Sequence, residues 1–329
     1  MEFLGLGLST IGLFVGFGLF IGVLFGFFGM GGSFLVTPAL LVVGYPASVA
    51  VGSGLAFVFG TSVIGALRHR DHGQVSYTLA VVMTLGLTFG VEVGARILFL
   101  LAELGSADVL VSTLYVGLLG AVGLLVLRDT RVDGTGAGAE RVATVVQAST
   151  LPPVVSLPGG ATVSAWVVLA VGSGVGVLSG CLGVGGGFLL LPVMVYGFGL
   201  PTAIAAGTSL LQITVSAAFG TFVYAQSNAV DIPVVAVLLA GSALGARIGA
   251  SATRLVDEGD VTGYFAVTLL SGSVATATKQ VSVVYGVEML ETASTVLVFG
   301  TAALVSGTIV RASITALREN RQRRPPLTH

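Results

Sequence analysis

The chain has 329 residues, of which 54% are hydrophobic and only 9% are charged, and its mean hydropathy is +1.02. A soluble globular domain carries about 25% charged residues. This composition therefore indicates a multi-pass protein of the cell membrane, which has the lipid bilayer as a partner. The net charge of -1 gives no reason to expect nucleic acid as a partner, and the one cysteine, Cys181, excludes an internal disulfide and a cysteine-based metal cluster.

Nine apolar stretches are long enough to cross a bilayer, whose core of about 30 Å requires roughly 20 residues per helix. Two shorter apolar pieces, 33–44 and 187–198, are too short for a full crossing, and we interpret them as re-entrant or half-helical segments. The expected fold class is an all-α polytopic membrane protein with about eight to nine transmembrane helices. The nine stretches lie near residues 5–29, 47–67, 77–101, 109–127, 163–182, 202–225, 232–253, 262–278 and 284–310.

A glycine-rich motif occurs twice in the chain, each time inside apolar sequence. Residues 29–38 read GMGGSFLVTP, and residues 183–192 read GVGGGFLLLP, 154 positions later. The similarity continues at an offset of 155, where the ladder Gly86, Gly90, Gly94 falls on Gly241, Gly245, Gly249. The sequence therefore predicts two homologous four-helix halves, each with a Gly-rich broken segment.

The repeat also predicts the domain organisation. With nine full crossings, six Lys or Arg residues fall on each side of the membrane, so the excess of positive charge does not set an orientation. Four crossings per half would make the repeats parallel and an odd number would make them inverted, and the sequence leaves both open. The predicted units are a first transmembrane repeat (1–127), a polar linker (128–161), a second transmembrane repeat (162–280), an additional transmembrane segment (281–311) and a basic tail (312–329).

The two glycine motifs are the first candidates for a binding site. Lipid cannot satisfy free backbone groups, so a broken helix at membrane depth is packed in protein or lines a polar cavity, which is where transporters bind their substrates. A short helix that begins after the glycines can present its N–H groups and positive dipole end to an anion. The alternative is that the glycines only allow close helix packing. The motif residues expected to bind substrate are Gly31, Gly32, Ser33, Gly185, Gly186 and Gly187.

Hydroxyl and amide side chains follow the broken segments. Ser53 in the first half, and Thr208, Ser209 and Gln212 in the second, could complete the hydrogen-bond shell of a small anion without adding charge. Helix capping or bonding between helices is the alternative, of about equal weight. We favour binding for Thr208 and Ser209. The two GxxxG ladders, by contrast, favour packing.

Charged residues inside the third span of each half form a further candidate group. Glu92 and Arg96 are four apart, in the order that favours an ion pair, and Arg247 stands at the repeat-equivalent position of Glu92. A charge near the bilayer centre costs about 2.5 to 3.5 kcal/mol, so a contact between Glu92 and Arg247 would neutralise both, and a protonatable Glu92 could couple transport to protons. The alternative is that Arg96 snorkels to an interface and Arg247 stabilises a helix end.

Catalytic and metal-binding residues are not expected. His69 and His72 lie three apart in a polar turn, but no third ligand is in view, so we interpret both as loop residues. An enzyme would need a nucleophile with a base or a metal centre, which the three histidines do not provide. We therefore expect neither an enzyme nor a cofactor. The chain carries no nucleotide-binding motif, so the energy for transport would come from an ion gradient or from the gradient of the substrate.

Several motifs together resemble the sulfite exporter TauE/SafE family of membrane permeases. They are the doubled G-x-G-G-G-F-L-x-x-P pattern, Gly207 to Ser209, the stretch from Ser62 to His69, and Gly245-Ala246-Arg247. The resemblance implies a permease of two related four-helix halves that moves sulfite, sulfoacetate or related small anions, generally outward. The first motif departs from the pattern at Met30 and Ser33, and the first half reads Gly52-Ser53-Gly54 where the second has Gly-Thr-Ser.

The expected function is thus a secondary transporter that exports a small anion such as sulfite or an organosulfonate. The anion would bind between the two broken segments, with a proton or cation as the coupling ion, and a homo-oligomer is left open. A passive anion channel and a membrane assembly subunit without transport activity are the alternatives.

Overall fold

The computed structural model of the chain describes residues 2–3, 6–28, 32–69, 75–129, 151–156, 162–252 and 258–322. Within them the chain forms eleven α-helices and two small antiparallel strand pairs, Glu2–Phe3 (β1) with Leu6–Gly7 (β2) and Val154–Ser156 (β3) with Thr162–Ser164 (β4). The helices are α1 (Leu8–Phe28), α2 (Val36–Val43), α3 (Ala47–His69), α4 (Tyr77–Glu103), α5 (Ala107–Asp129), α6 (Ala165–Leu182), α7 (Gly187–Pro192), α8 (Thr202–Gln226), α9 (Ile232–Ala252), α10 (Glu258–Tyr285) and α11 (Glu288–Gln322).

Eight helices in the described part of the chain are long and apolar enough to cross a membrane, which confirms the predicted fold class. The predicted span at 262–278 lies in α10, a helix of 28 residues that carries Lys279 and Gln280 and is not among the eight. The last helix, α11, continues to Gln322, beyond the point where the sequence predicted the basic tail. The predicted domain boundaries remain predictions. The eight spans are α1, α3, α4, α5, α6, α8, α9 and α11.

Interlocking glycines join α1 to α9. Three glycines of α1 lie so close to the backbone of α9 that a β-carbon would collide with carbonyl groups, and three glycines of α9 do the same to α1. Residue numbers rise together along both helices, so α1 and α9 are parallel. The pairs are Gly18 with Leu238, Gly22 with Ser242, Gly26 with Ala246, Gly241 with Val15, Gly245 with Leu19, and Gly249 with Val23.

The same interlock joins α4 to α6, which are therefore also parallel. Each of its six pairs matches a pair of the α1–α9 interface at the sequence offsets of 154 and 155. The prediction that the GxxxG ladders serve helix packing is confirmed, because bare backbones approach closely only where side chains are absent. The pairs are Gly86 with Leu169, Gly90 with Ser173, Gly94 with Val177, Gly172 with Met83, Gly176 with Leu87, and Gly180 with Val91.

Contacts of α3 show that the first broken segment reverses the chain. Ser53 contacts Asp231 at the start of α9, and Gly60 contacts Leu239 further along, so α3 is parallel to α9. Since α1 is also parallel to α9, α1 and α3 run in the same direction. The segment between them, which includes α2, must therefore carry the chain back across the membrane.

The second half repeats this arrangement in the opposite sense. Thr208 contacts Ser76 at the start of α4, and Gly220 contacts Val91 further along, so α8 is parallel to α4 and to α6. In contrast, α3 and α8 are antiparallel, because Gly52 contacts Tyr224 while Leu55 contacts Gly220. Corresponding helices with opposite directions are the mark of inverted repeats. Our assumption that the broken segments do not cross is thereby corrected.

Candidate functional site

The second glycine motif forms a tight turn inside the protein. Helix α6 ends at Leu182, and α7 begins at Gly187. Gly183, Gly185 and Gly186 have φ angles of +74°, +63° and +78°, in the left-handed region that only glycine enters without strain. All residues from 183 to 187 are buried. The turn is therefore a broken helix at membrane depth that is packed in protein, as predicted.

Two buried tyrosines satisfy the backbone at the end of α6. The hydroxyl of Tyr224 donates to the carbonyl oxygen of Gly180, and the hydroxyl of Tyr115 donates to that of Leu182, each at 2.6 Å. The last carbonyl groups of a helix lack partners within the helix, and lipid offers none. These side chains, both fully buried, allow α6 to end inside the membrane.

The first broken segment meets this turn at Thr37. Gly32 and Ser33 open a short 3-10 helix that ends at Leu35, where α2 follows. The hydroxyl of the fully buried Thr37 in α2 donates to the carbonyl oxygen of Ala50 at 3.4 Å, and its oxygen would lie 2.8 Å from a β-carbon on Gly183. The predicted site residue Gly31 lies outside the described residues. Thr37 thus brings the first broken segment against the second glycine turn.

The hydroxyl groups of Ser53 and Thr208 bind backbone groups of the opposite half. The N–H of Asp231, just before α9, donates to Ser53 Oγ at 2.9 Å, and the N–H of Ser76, just before α4, donates to Thr208 Oγ1 at 3.0 Å. Both hydroxyl groups are fully buried, and the two bonds occupy equivalent positions of the repeat. These are the interhelical bonds that the sequence left open as an alternative to substrate binding.

The side-chain amide of Gln212 uses only part of its hydrogen-bonding capacity among the described residues. Its side chain is fully buried, its Nε2 donates weakly to the carbonyl oxygen of Leu79 at 3.5 Å, and its Oε1 has no partner among the described residues. The neighbouring Ile213 belongs to the buried apolar cluster that surrounds the second turn, together with Val58, Val175 and Leu190. Ser209, in contrast, donates to the carbonyl oxygen of Ala206 in its own helix.

The charged residues lie away from the broken segments. Arg96 and Glu92 form the predicted ion pair at 2.7 Å, with 77% of the Arg96 side chain exposed. Phe89 and Leu100 are exposed on the same face of α4, so the pair faces outward. Arg247 is exposed on α9. The proposed contact between Glu92 and Arg247 is wrong, because α4 packs on α6 and α8 whereas α9 packs on α1 and α3.

A cavity of about 370 Å³ lies at the end of the molecule where α3 and α9 begin. The carboxylate of Asp231 lines it, which makes the cavity unsuited to holding an anion. Burial and the nearby Asp231 charge raise the pKa of Tyr45, which lies in the turn before α3. The remaining lining residues are Val49, Asn228, Val230, Ile232 and Pro233.

Sequence reasoning missed three residues that the structure places at the broken segments. Thr37 stands in the first motif where the second has Leu191, and this hydroxyl in an otherwise apolar position was the available signal. Tyr115 and Tyr224 lie within apolar spans, where a buried tyrosine hydroxyl usually finds a partner. No group of three or more His, Cys, Asp or Glu residues that could hold a metal occurs within the described residues.

The fold and the two opposed broken helices define a multi-pass membrane protein of the transporter class. The chain matches the sulfite exporter TauE/SafE family over residues 14–276. It is 30% identical over 237 residues to a probable membrane transporter protein of Xylella fastidiosa strain 9a5c, covering 71% of this chain and 82% of the relative. The corresponding protein of strain Temecula1 is 31% identical over 244 residues, covering 73% and 84%.

A more distant relative is the probable membrane transporter protein YjnA of Bacillus subtilis strain 168, which is 25% identical over 242 residues and covers 70% of this chain and 86% of the relative. No solved structure matches the chain. The chain belongs to the sulfite exporter TauE/SafE family. Its family and its relatives place it among membrane transporters rather than enzymes.

Proposed function

We propose that this membrane transporter exports a small anion, sulfite or an organosulfonate, which binds between the two Gly-rich broken segments. The observation that carries the proposal is the contact of the second glycine turn with Thr37, which lies in the first glycine motif. Broken helices of inverted repeats that meet inside the membrane are where secondary transporters bind their substrates. The description of the matched family supplies the substrate class.

The binding chemistry that we propose uses hydrogen bonds rather than a cationic side chain. The glycines at 185–187 let backbone N–H groups approach a ligand closely, and the Thr37 hydroxyl and the Gln212 amide lie on the helices around them. A sulfite or sulfonate group presents three oxygen acceptors and needs several donors. Neutral donors hold an anion without making its release costly, which suits transport.

Access to this site requires movement, because residues 183–187 are buried. The two halves contact each other through interlocked glycine backbones, and the proposed cycle moves one broken segment against the other so that the anion faces each side in turn. Glu92 and Arg247 face outward on α4 and α9, so we leave both outside the substrate site.

Flux of radiolabelled sulfite into proteoliposomes tests the proposal, with an imposed proton gradient as the variable. We expect saturable flux that taurine or sulfoacetate reduces, and at least a tenfold loss in Gly186→Ala, whose backbone angle of +78° disfavours a side chain. Gly105→Ala is the matched control, since Gly105 has a φ of +70° at a loop with open space around it. Flux that does not saturate would indicate a channel, and absence of sulfite flux would overturn the substrate assignment.

A further inference from the structure

One end of the molecule has no Lys or Arg in any described connection between helices. Helices α3, α5, α9 and α11 begin at this end, and α4, α8 and α10 finish there. Acidic side chains flank the same connections, among them Glu103, Asp108 and Asp231. The connections are residues 44–46, 104–106, 227–231 and 286–287.

The opposite end carries basic residues near the ends of four helices. Helices α3, α5, α9 and α11 finish at this end, and the C-terminal halves of these helices hold six arginines. Two other basic residues within helices, Arg96 and Lys279, are paired with Glu92 and Glu291. The six are Arg68, Arg128, Arg247, Arg311, Arg318 and Arg321.

We propose that this arginine-rich end is an interaction surface for the anionic headgroups of the cytoplasmic leaflet. Lys and Arg near the ends of spans are retained on the cytoplasmic side, and the anionic lipids of that leaflet attract basic residues at the membrane surface. Residues 151–156 and the C-terminal end of α11 then face the cytoplasm. The start of α1 and the cavity beside Asp231 face the opposite side.

The direction of the broken segments is what reveals this asymmetry. If 29–46 and 183–201 did not cross, the basic residues of the two halves would fall on opposite sides and cancel. The contacts of α3 with α9 and of α8 with α4 show that both segments do cross, which puts Arg247 and the arginines of α11 on the same side as Arg68 and Arg128. This inference does not depend on the identity of the substrate.

Labelling of single cysteines in spheroplasts tests the orientation. Cys181, the one native cysteine, is buried, so Cys181→Ala gives a cysteine-free chain with one conservative change. Ser227→Cys and Met289→Cys report the end with acidic residues, and Leu151→Cys and Thr315→Cys report the arginine-rich end, since all four residues are exposed. A membrane-impermeant maleimide is applied before and after permeabilisation.

We expect Ser227→Cys and Met289→Cys to be labelled in intact spheroplasts, and Leu151→Cys and Thr315→Cys to be labelled at least tenfold more after permeabilisation. Two reporters at each end keep the test decisive if one variant is poorly produced. Labelling of the arginine-rich end in intact spheroplasts, or equal labelling of both ends, would overturn the proposed orientation. Purified protein should also bind vesicles of phosphatidylglycerol more strongly than vesicles of phosphatidylcholine at low salt.

Discussion

The hydroxyl of Tyr115 in α5 donates a 2.6 Å hydrogen bond to the carbonyl oxygen of Leu182, the last residue of α6. This bond joins the first half of the protein to the point where the second half breaks its helix. Thr37 of the first broken segment lies beside the same turn, since its hydroxyl oxygen would be 2.8 Å from a β-carbon on Gly183.

Removing the Tyr115 hydroxyl should destabilise the protein and impair transport. In Tyr115→Phe the carbonyl of Leu182 stays buried without its partner, which costs about 1–3 kcal/mol. We expect a lower thermal unfolding midpoint in detergent and reduced sulfite flux. Tyr285→Phe, which removes a hydroxyl from a side chain that is 75% exposed, should change neither quantity. Equal unfolding midpoints for the two variants would contradict the role assigned to Tyr115.

The glycine interlock predicts a sharp difference between two neighbouring glycines of α6. A β-carbon on Gly176 would collide with the backbone carbonyl of Leu87, whereas one on Gly174 would meet nothing within 4 Å. Gly176→Ala should lose about 1–3 kcal/mol of stability through overpacking, and Gly174→Ala should be neutral or slightly stabilised by its higher helix propensity. Size-exclusion profiles after a series of heating steps measure the stability of both variants. A Gly176→Ala variant as stable as the natural protein would refute the close helix contact.

Substitutions of Thr208 distinguish a structural role of its hydroxyl from a role in substrate binding. Its hydroxyl accepts the backbone N–H of Ser76, so Thr208→Val should cost about 1–3 kcal/mol, while Thr208→Ser keeps the acceptor and most of the stability. In the folded fraction of Thr208→Val we expect an unchanged KM for sulfite. A raised KM at unchanged stability would instead show that this hydroxyl binds the substrate.

The outward position of Glu92 predicts that it does not carry the coupling proton. Glu92 is paired with Arg96 on the exposed face of α4. Glu92→Gln should therefore retain the dependence of sulfite flux on the proton gradient, whether that dependence is strong or absent in the natural protein. Flux at several imposed pH differences provides the comparison. If the natural protein shows a gradient dependence and Glu92→Gln loses it, Glu92 takes part in proton coupling.

The sequence predicted the fold class and the position of both breaks, because apolar length and glycine clusters are local properties. It did not predict how the breaks direct the chain, since residues 33–44 are short by the length criterion and yet α1 and α3 run in the same direction. Only contacts between distant helices, such as Ser53 with Asp231, decide that question.

The same limit applies to the local structure of the candidate site residues. The break at Gly185 and Gly186 could be predicted from the sequence because such a break needs positive φ angles, which both residues have. The hydrogen bonds of Ser53 and Thr208 could not be predicted, because their partners lie 178 and 132 positions away in the sequence. The role of Tyr115 likewise depends on Leu182, which is 67 positions from it and in the other half.

Equilibrium binding of radiolabelled sulfite to purified protein tests the central claim most directly. The natural protein, Thr37→Val, Gly186→Ala and the control Gly105→Ala would be compared at equal folded concentration. We predict saturable binding that weakens at least tenfold in Thr37→Val and Gly186→Ala and is unchanged in Gly105→Ala. Saturable binding of equal strength in all four proteins would contradict an anion site between the two broken segments.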